Sequence, residues 1–339
     1  MKNTIWTALL TVSAATSLSA QPPVVITSGK RTIEVLGLQK WTIRMLEDSI
    51  SRYAPGQTLG DAACMATLRY KLGFQDALVR RHTGIDRFDP EKQFVSVRVV
   101  EPTNRQIWRK TSAEKFESLL PEYAPLILPV TDTTGGVWTV RLIFGYQFSD
   151  STTRAEMLAS TDSLARRDYA RVEQFLATQQ SVAHRERAIR VLDSSAAPAN
   201  RMAAALILLK HSNDEDARFA LVRALRDPHE SVRGIAGVSL SYFPARRIDW
   251  APLISDLRAL LNGANLGETE RVMRMLIETG ADARLAKPLL NNNGQWVIRL
   301  LQSKAPMSAS TARQFLTVLN GGVDLGASVE AWRGWVGRL

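Results

Sequence analysis

The chain has 339 residues and a mass of 37.6 kDa, enough for two or three domains at roughly 100–200 residues each. Apolar residues make up 45% and charged residues 22%, a globular balance that excludes a mainly disordered chain. The formal charge is +10; one cysteine excludes an internal disulfide, and four histidines leave little from which to build a His/Cys metal site.

Met1-Lys2 gives a short positive start, residues 5–12 are apolar, residues 13–20 are small and hydroxylated, and Gln21-Pro22-Pro23 comes next. That is the layout of a secretory signal peptide over residues 1–20, and it predicts an exported protein, periplasmic or secreted. Ala20 suits the position before the cut. Leu18 fits less well at the third position back, so a cut after Ser19 stays open. The apolar run is far below the ~20 residues that span a bilayer, and no later segment has about 18 uninterrupted apolar residues, so no transmembrane helix is expected in the mature chain. Cleavage removes Lys2 and leaves 42 basic against 33 acidic residues, or +9. Cys64 then has no partner, and a buried thiol is expected.

Residues 21–150 mix strand and helix patterns, whereas residues 151–339 carry only helical ones; the polar stretch 149–153 reads as the junction. Residues 31–36 alternate as a strand. Ile43, Leu46, Ile50 and Tyr53 recur at helical steps until Ala54-Pro55-Gly56. Thr58 is expected to cap a second helix with the stripe Ala62, Met65, Leu68 and Leu72, on which Cys64 points to the core and which Gly73 ends. Val95, Val97 and Val99 alternate with Phe94, Ser96 and Arg98, the pattern of a half-buried strand. Trp138, Val140, Leu142, Phe144 and Tyr146 suggest one more.

The order strand, helix, helix, short strand, strand over residues 30–102 resembles a POTRA domain. The residues that carry the resemblance are Ile33-Glu34-Val35-Leu36-Gly37-Leu38, the Pro55-Gly56 link between helices, the passage from Leu68 to Gly73-Phe74, and the closing strand Val95–Val100 with Glu101-Pro102. The Gly-Phe pair departs from the family's Gly-x-Phe spacing. The C-terminal half of the chain is helical rather than barrel-like, so the resemblance implies the fold and not membrane-protein assembly. A sheet of this kind accepts partner strands at an open edge.

Residues 225–240, Leu-Arg-Asp-Pro-His-Glu-Ser-Val-Arg-Gly-Ile-Ala-Gly-Val-Ser-Leu, resemble the turn and second helix of a HEAT repeat. Asp227 can bond free backbone N–H groups, Pro228 suits a first turn, and Val232, Ile235, Ala236 and Leu240 form the inward stripe. The resemblance implies that Arg233 bonds toward the turn acid of an adjacent unit, with Asp227 or a neighbour as that acid. Weaker copies centre on Met202, Val272 and Val297. First-helix candidates lie at 214–226, 250–261, 283–290 and 310–319. The fold class expected is therefore an α+β N-terminal domain followed by an all-α HEAT-like solenoid of helix pairs, in which each pair needs its neighbours to cover its apolar face. Near the C-terminus, Trp332 and Trp335 share a helix face, which suits a cap on the stack or an aromatic anchor for a partner.

Catalytic motifs end as near misses. His229-Glu230 opens a zinc-protease pattern, but Arg233 stands where the second histidine belongs. His184-Arg185-Glu186 has no Pro-Cys-x-x-Cys to complete a deaminase site. Gly237-Val238-Ser239-Leu240-Ser241 lacks the closing glycine of a nucleophile elbow. Adjacent acids such as Glu47-Asp48 and Glu215-Asp216 diverge on their helices. No catalytic residue, metal ligand or cofactor is assigned.

The excess charge is +3 on residues 21–150 and +6 on residues 151–339, where only three of 25 basic residues are lysine. Arg218, Arg223, Arg226, Arg246 and Arg247 are the densest candidates for partner contact, with Trp332 and Trp335. An export signal argues against nucleic acid and therefore against the HEAT-like DNA glycosylases; an acidic protein or an anionic envelope surface fits better. The expectation is an exported, non-catalytic interaction or scaffold protein. The alternatives are an envelope hydrolase or lyase whose site assembles only on folding, and a purely structural envelope component.

Overall fold

Val24–Ser28 (β1) and Arg31–Leu36 (β2) form an antiparallel hairpin turned by Gly29-Lys30, with Ser28 opposite Arg31. The computed structural model describes residues 22–82, 92–102, 108, 123–124, 126, 163–291, 294–305 and 307–339. β2 runs parallel to Gln93–Val100 (β4), which pairs antiparallel with Asp76–His82 (β3), so the sheet order is β1-β2-β4-β3. β1 is not anticipated by the sequence pattern: five residues behind a double proline carry little periodic signal. The expected strand through Trp138 and Tyr146 lies outside the described residues.

One face of this sheet carries Val35, Val95, Val97, Val99 and Ala77. It closes on Leu46 and Ile50 of Ile43–Tyr53 (α1) and on Cys64 and Leu68 of the short helix Cys64–Ala66 (α2), which runs on as a π turn, Thr67–Lys71. Thr42 caps α1 by accepting a hydrogen bond from the Met45 N–H. The Glu101 carboxylate, just past β4, accepts the N–H groups of Gln39, Lys40 and Trp41 at 2.5–3.0 Å, which fixes the approach to α1. Thr58 does not cap the second helix. Its N–H and hydroxyl both bond Asp61, closing a turn, and the helix starts only at Cys64. Cys64 is buried, and burial pushes its thiol up.

The rest of the described chain is helical: Ser163–Thr178 (α3), Val182–Ser194 (α4), Pro198–Leu209 (α5), Glu215–Ala224 (α6), Glu230–Leu240 (α7), Ile254–Ala259 (α8), Thr269–Glu278 (α9), Ala286–Leu290 (α10), Gln295–Leu301 (α11), Ser308–Leu319 (α12) and Val329–Val336 (α13). α5 starts with proline, where a missing N–H is harmless, and runs through Ala203-Ala204-Ala205 to Leu206–Leu209. Every residue from Asn200 to Leu209 is buried, so α5 is covered on all sides rather than amphipathic. α4 packs on α6, α5 on α7, α8 on α10 and α9 on α12.

The sheet's second face is also covered. Leu78 and Val100 pack on the large helical core, and Trp296 of α11 reaches both Gly37 and Gly263. At Gly37 (φ +99°) the backbone carbonyl of Val99 lies so near that any Cβ would overlap it. β4 is therefore buried on both sides, where its alternation suggests one.

Candidate functional site

Arg201 on α5 and Arg233 on α7, thirty-two positions apart, make the same local bonds. Each sends Nη1 back to the carbonyls six and five residues earlier: Ser195 and Ala196 at 2.7 and 3.0 Å, Asp227 and Pro228 at 2.7 and 3.1 Å. Arg201 then reaches forward, its Nε and Nη2 gripping the Asp227 carboxylate at 2.8 Å each. The Arg201 and Asp227 side chains are both at most 2% exposed. Asp227 also accepts the His229 N–H at 2.9 Å, so one carboxylate anchors the preceding unit and caps its own turn. Sequence pattern alone misses Arg201: it bonds forward to the turn acid of the next unit, the role expected of Arg233. The alignment Ser195-x-x-x-x-x-Arg201 against Asp227-x-x-x-x-x-Arg233 was the available signal.

Among the described residues Arg233 has no such forward acid. Its guanidinium lies 4.1 Å above the Trp108 ring, near Asp76 and Glu230. Pro228 stands before the helix rather than in its first turn, since α7 begins at Glu230 with His229 as its N-cap. Val232, Ala236 and Leu240 are buried, and Gly237 lies against the Glu268 carboxylate.

Further bonds join successive helix pairs at a nearly constant spacing. Arg185 meets Asp214, Arg223 meets Asp193 and Arg226 meets Asp256, each at 2.7 Å and over 29, 30 and 30 residues. Arg258 donates to the Pro288 carbonyl over 30 residues, and the Trp250 indole to Thr279 over 29.

A second polar cluster lies where the sheet meets the helices. Arg98 of β4, 0% exposed, bonds Glu270 of α9 at 2.6 Å and Ser308 of α12 at 2.7 Å. Arg80 reaches the other Glu270 oxygen at 3.1 Å. Burial alone would push the Glu270 carboxyl up; Arg98, Ser308 and Arg80 outweigh it and hold it down at about 2. Glu34 accepts from the Ser303 hydroxyl at 2.7 Å and the Lys304 N–H at 2.5 Å. Asp76 accepts the Leu266 N–H at 2.9 Å, and Arg69 bridges Asp76 and Glu230.

Among the described residues, the His82 Nε2 and Ser96 Oγ, 3.1 Å apart, come nearest to a base and nucleophile. Burial, then Arg80 and Arg98, push the imidazole below its ordinary value. Ser96, however, is 0% exposed, out of reach of substrate. Among the described residues no three His, Cys, Asp or Glu side chains gather as a metal site, and no helix is long and apolar enough to cross a membrane.

The arginines expected to meet a partner divide into two groups. Arg223 and Arg226 are held in the ion pairs just described. Arg218 is 1% exposed and donates Nη2 to the Pro244 carbonyl at 2.6 Å. Arg246 and Arg247 are exposed, Arg247 standing 3.8 Å from Asp282. Trp332 is fully buried, with its indole N–H on the Gly326 carbonyl at 3.0 Å, and so offers no anchor; Trp335 packs edge-on against it, half-buried. The chain was compared with family models, curated proteins and solved structures, and it matches none of them.

Proposed function

We propose that this chain is an exported, non-catalytic interaction protein whose helix pairs stack as a HEAT-like α-solenoid, carrying a POTRA-like sheet module, and whose surface holds another protein. The observation that carries the reading is the Arg201–Asp227 grip. It joins one helix-pair turn to the next through buried side chains, and its local half is repeated thirty-two residues on at Arg233. The ion pairs spaced by 29 and 30 residues support the same stacking, because bonds between equivalent positions of neighbouring units recur at the unit length. Export rests on residues 1–20, and the absence of assigned chemistry on the near-miss motifs and the sealed Ser96 hydroxyl.

Cross-linking and mass spectrometry in the native envelope test the reading. A reproducible protein partner with links to the helical part is expected; turnover of an envelope polymer by the purified chain, with no partner retained, would reject it. Fractionation with N-terminal sequencing is expected to find a chain starting at Ala20 or Gln21 outside the cytoplasm, and an intact Met1 in the cytosol would sink the export reading.

A further inference from the structure

Arg218 lacks the one thing that the other buried arginines of the helical part possess. Arg201 has a carboxylate, and Arg233 lies over an aromatic ring beside three acids. Arg218, equally buried, uses one of its five N–H donors, on a backbone carbonyl; among the described residues its Nε has no acceptor. The guanidinium also lies over the Phe243 ring, 5.2 Å from its centroid, a cation–π contact that offsets part of its charge but is no anion. A buried charge without an anion is a costly arrangement.

Arg218 forms one wall of a cavity of about 230 Å³ between the 241–245 turn and α9. Two more arginines line it. Arg271 is tied to Glu268 and also reaches the Ser241 hydroxyl; Arg274, one turn on, is exposed and has no ion pair among the described residues. Arg246 stands near enough that, after burial, its charge is the next largest influence pushing Arg218 down. The acids nearby do not cancel this set. Glu268 is engaged by Arg271 and Glu215 lies on α6 itself; Glu278, exposed and with no ion pair among the described residues, lines the cavity and offsets one arginine charge, which leaves the lining net positive.

We propose that this cavity is an oxyanion site of the phosphate class, closed at its base by Arg218 and held at its rim by Arg274, with the charge of Arg246 close beside Arg218. The geometry favours a tetrahedral group over a carboxylate. A planar carboxylate is satisfied by one guanidinium fork, as Asp227 is by Arg201, whereas here the lining guanidiniums come from two elements, Arg218 of α6 and Arg271 and Arg274 of α9, an arrangement that suits a multi-oxygen anion. The volume admits the anion with part of an ester. Soluble phosphate and a phospholipid headgroup share that chemistry. The site goes beyond the scaffold reading: a scaffold without it remains a scaffold, and the site would stand in a chain that holds no protein partner.

The test is calorimetric titration of the full mature chain at low ionic strength with inorganic phosphate, and separately with acetate. Saturable phosphate binding, weakened about tenfold or more in the double variant R246Q/R274Q, is expected. These exposed side chains leave the fold intact, which circular dichroism checks; R218M, should it fold, is expected to abolish binding. Linear, chloride-like uptake that is equal in wild type and double variant would overturn the proposal, as would acetate binding more tightly than phosphate. Co-sedimentation with phosphatidylglycerol vesicles, against phosphatidylcholine controls, separates the two sources. Capture lost in R246Q/R274Q identifies a headgroup, and phosphate binding without capture identifies a soluble ester; both uphold the site.

Discussion

The guanidinium of Arg98 and the carboxylate of Glu270 meet at 2.6 Å although they stand 172 positions apart in the chain, one 0% and the other 6% exposed. Neither is adjacent to water, and each is the other's main compensation. R98M would leave Glu270 with Ser308 and the more exposed Arg80. Removing one member of a buried pair strands the other, at about 3–5 kcal/mol. Chemical denaturation is expected to show a fall of that order. A fall below about 1 kcal/mol would mean that water already reaches the pair.

The same carboxylate makes stability depend on acid. Its folded value is about 2 against an ordinary 4.5, so its contribution is complete above pH 4.5 and is lost as the pH falls toward 2. Integrated over that window it amounts to about 3 kcal/mol. Burial pushes Asp76 and Glu268 up, which acts in the opposite sense, so the comparison must be with E270Q and not with the wild-type curve alone. The stability difference between wild type and E270Q is expected to shrink between pH 4.5 and pH 2. A difference that stays constant across the window would contradict the depressed value.

Arg201 predicts a graded series. R201A removes both forward bonds to Asp227 and both backward bonds, and takes the guanidinium from a carboxylate with 0% exposure that still accepts the His229 N–H. A loss of about 3–5 kcal/mol is expected in thermal or urea unfolding. R201K keeps the charge but not the planar fork, and is expected to fall between wild type and R201A. Equal melting temperatures for all three would remove the bond that the stacking reading leans on.

Two glycines with positive φ separate strain from crowding. Gly29 (φ +57°) has open space around it, so G29A meets only the left-handed backbone penalty, about 1 kcal/mol. Gly37 (φ +99°) lies against the Val99 carbonyl and Trp296, so G37A must also part β2 from β4 or from α11. A loss of more than about 3 kcal/mol is expected there. Similar midpoints for the two variants would show that the sheet and helices yield at Gly37.

Much of this architecture was legible locally. The alternation of residues 31–36 marks β2 to its ends, and the stripe through Ile43, Leu46 and Ile50 marks α1. The stripes at Met202, Val232, Val272 and Val297 each fall in a helix. The sheet's second face was not legible. Ser96 and Arg98 are polar, and polarity on alternate positions ordinarily means water; here it means His82 on the next strand for Ser96, and for Arg98 partners on α9 and α12, distant in sequence. The same reason hid Arg201, whose residue type alone cannot tell a solvated arginine from one gripping an acid in the next turn. Thr58 and Pro228 sit where capping residues belong by composition, yet both stand in turns before their helices, because Asp61 and Asp227 close those turns first.

Glu34 finds its hydrogen-bond donors at Ser303 and Lys304, about 270 residues further along. A polypeptide that emerges N-terminus first therefore holds Glu34 and Arg98 in a sheet whose second face is still bare. That face closes only when nearly the whole chain has been made. The small valine-rich core on α1 and α2 can form early, but the native sheet is sealed last, by its own C-terminal third. A truncation before residue 303 thus strands charges in the first hundred residues, and damage at one end of the chain becomes visible at the other.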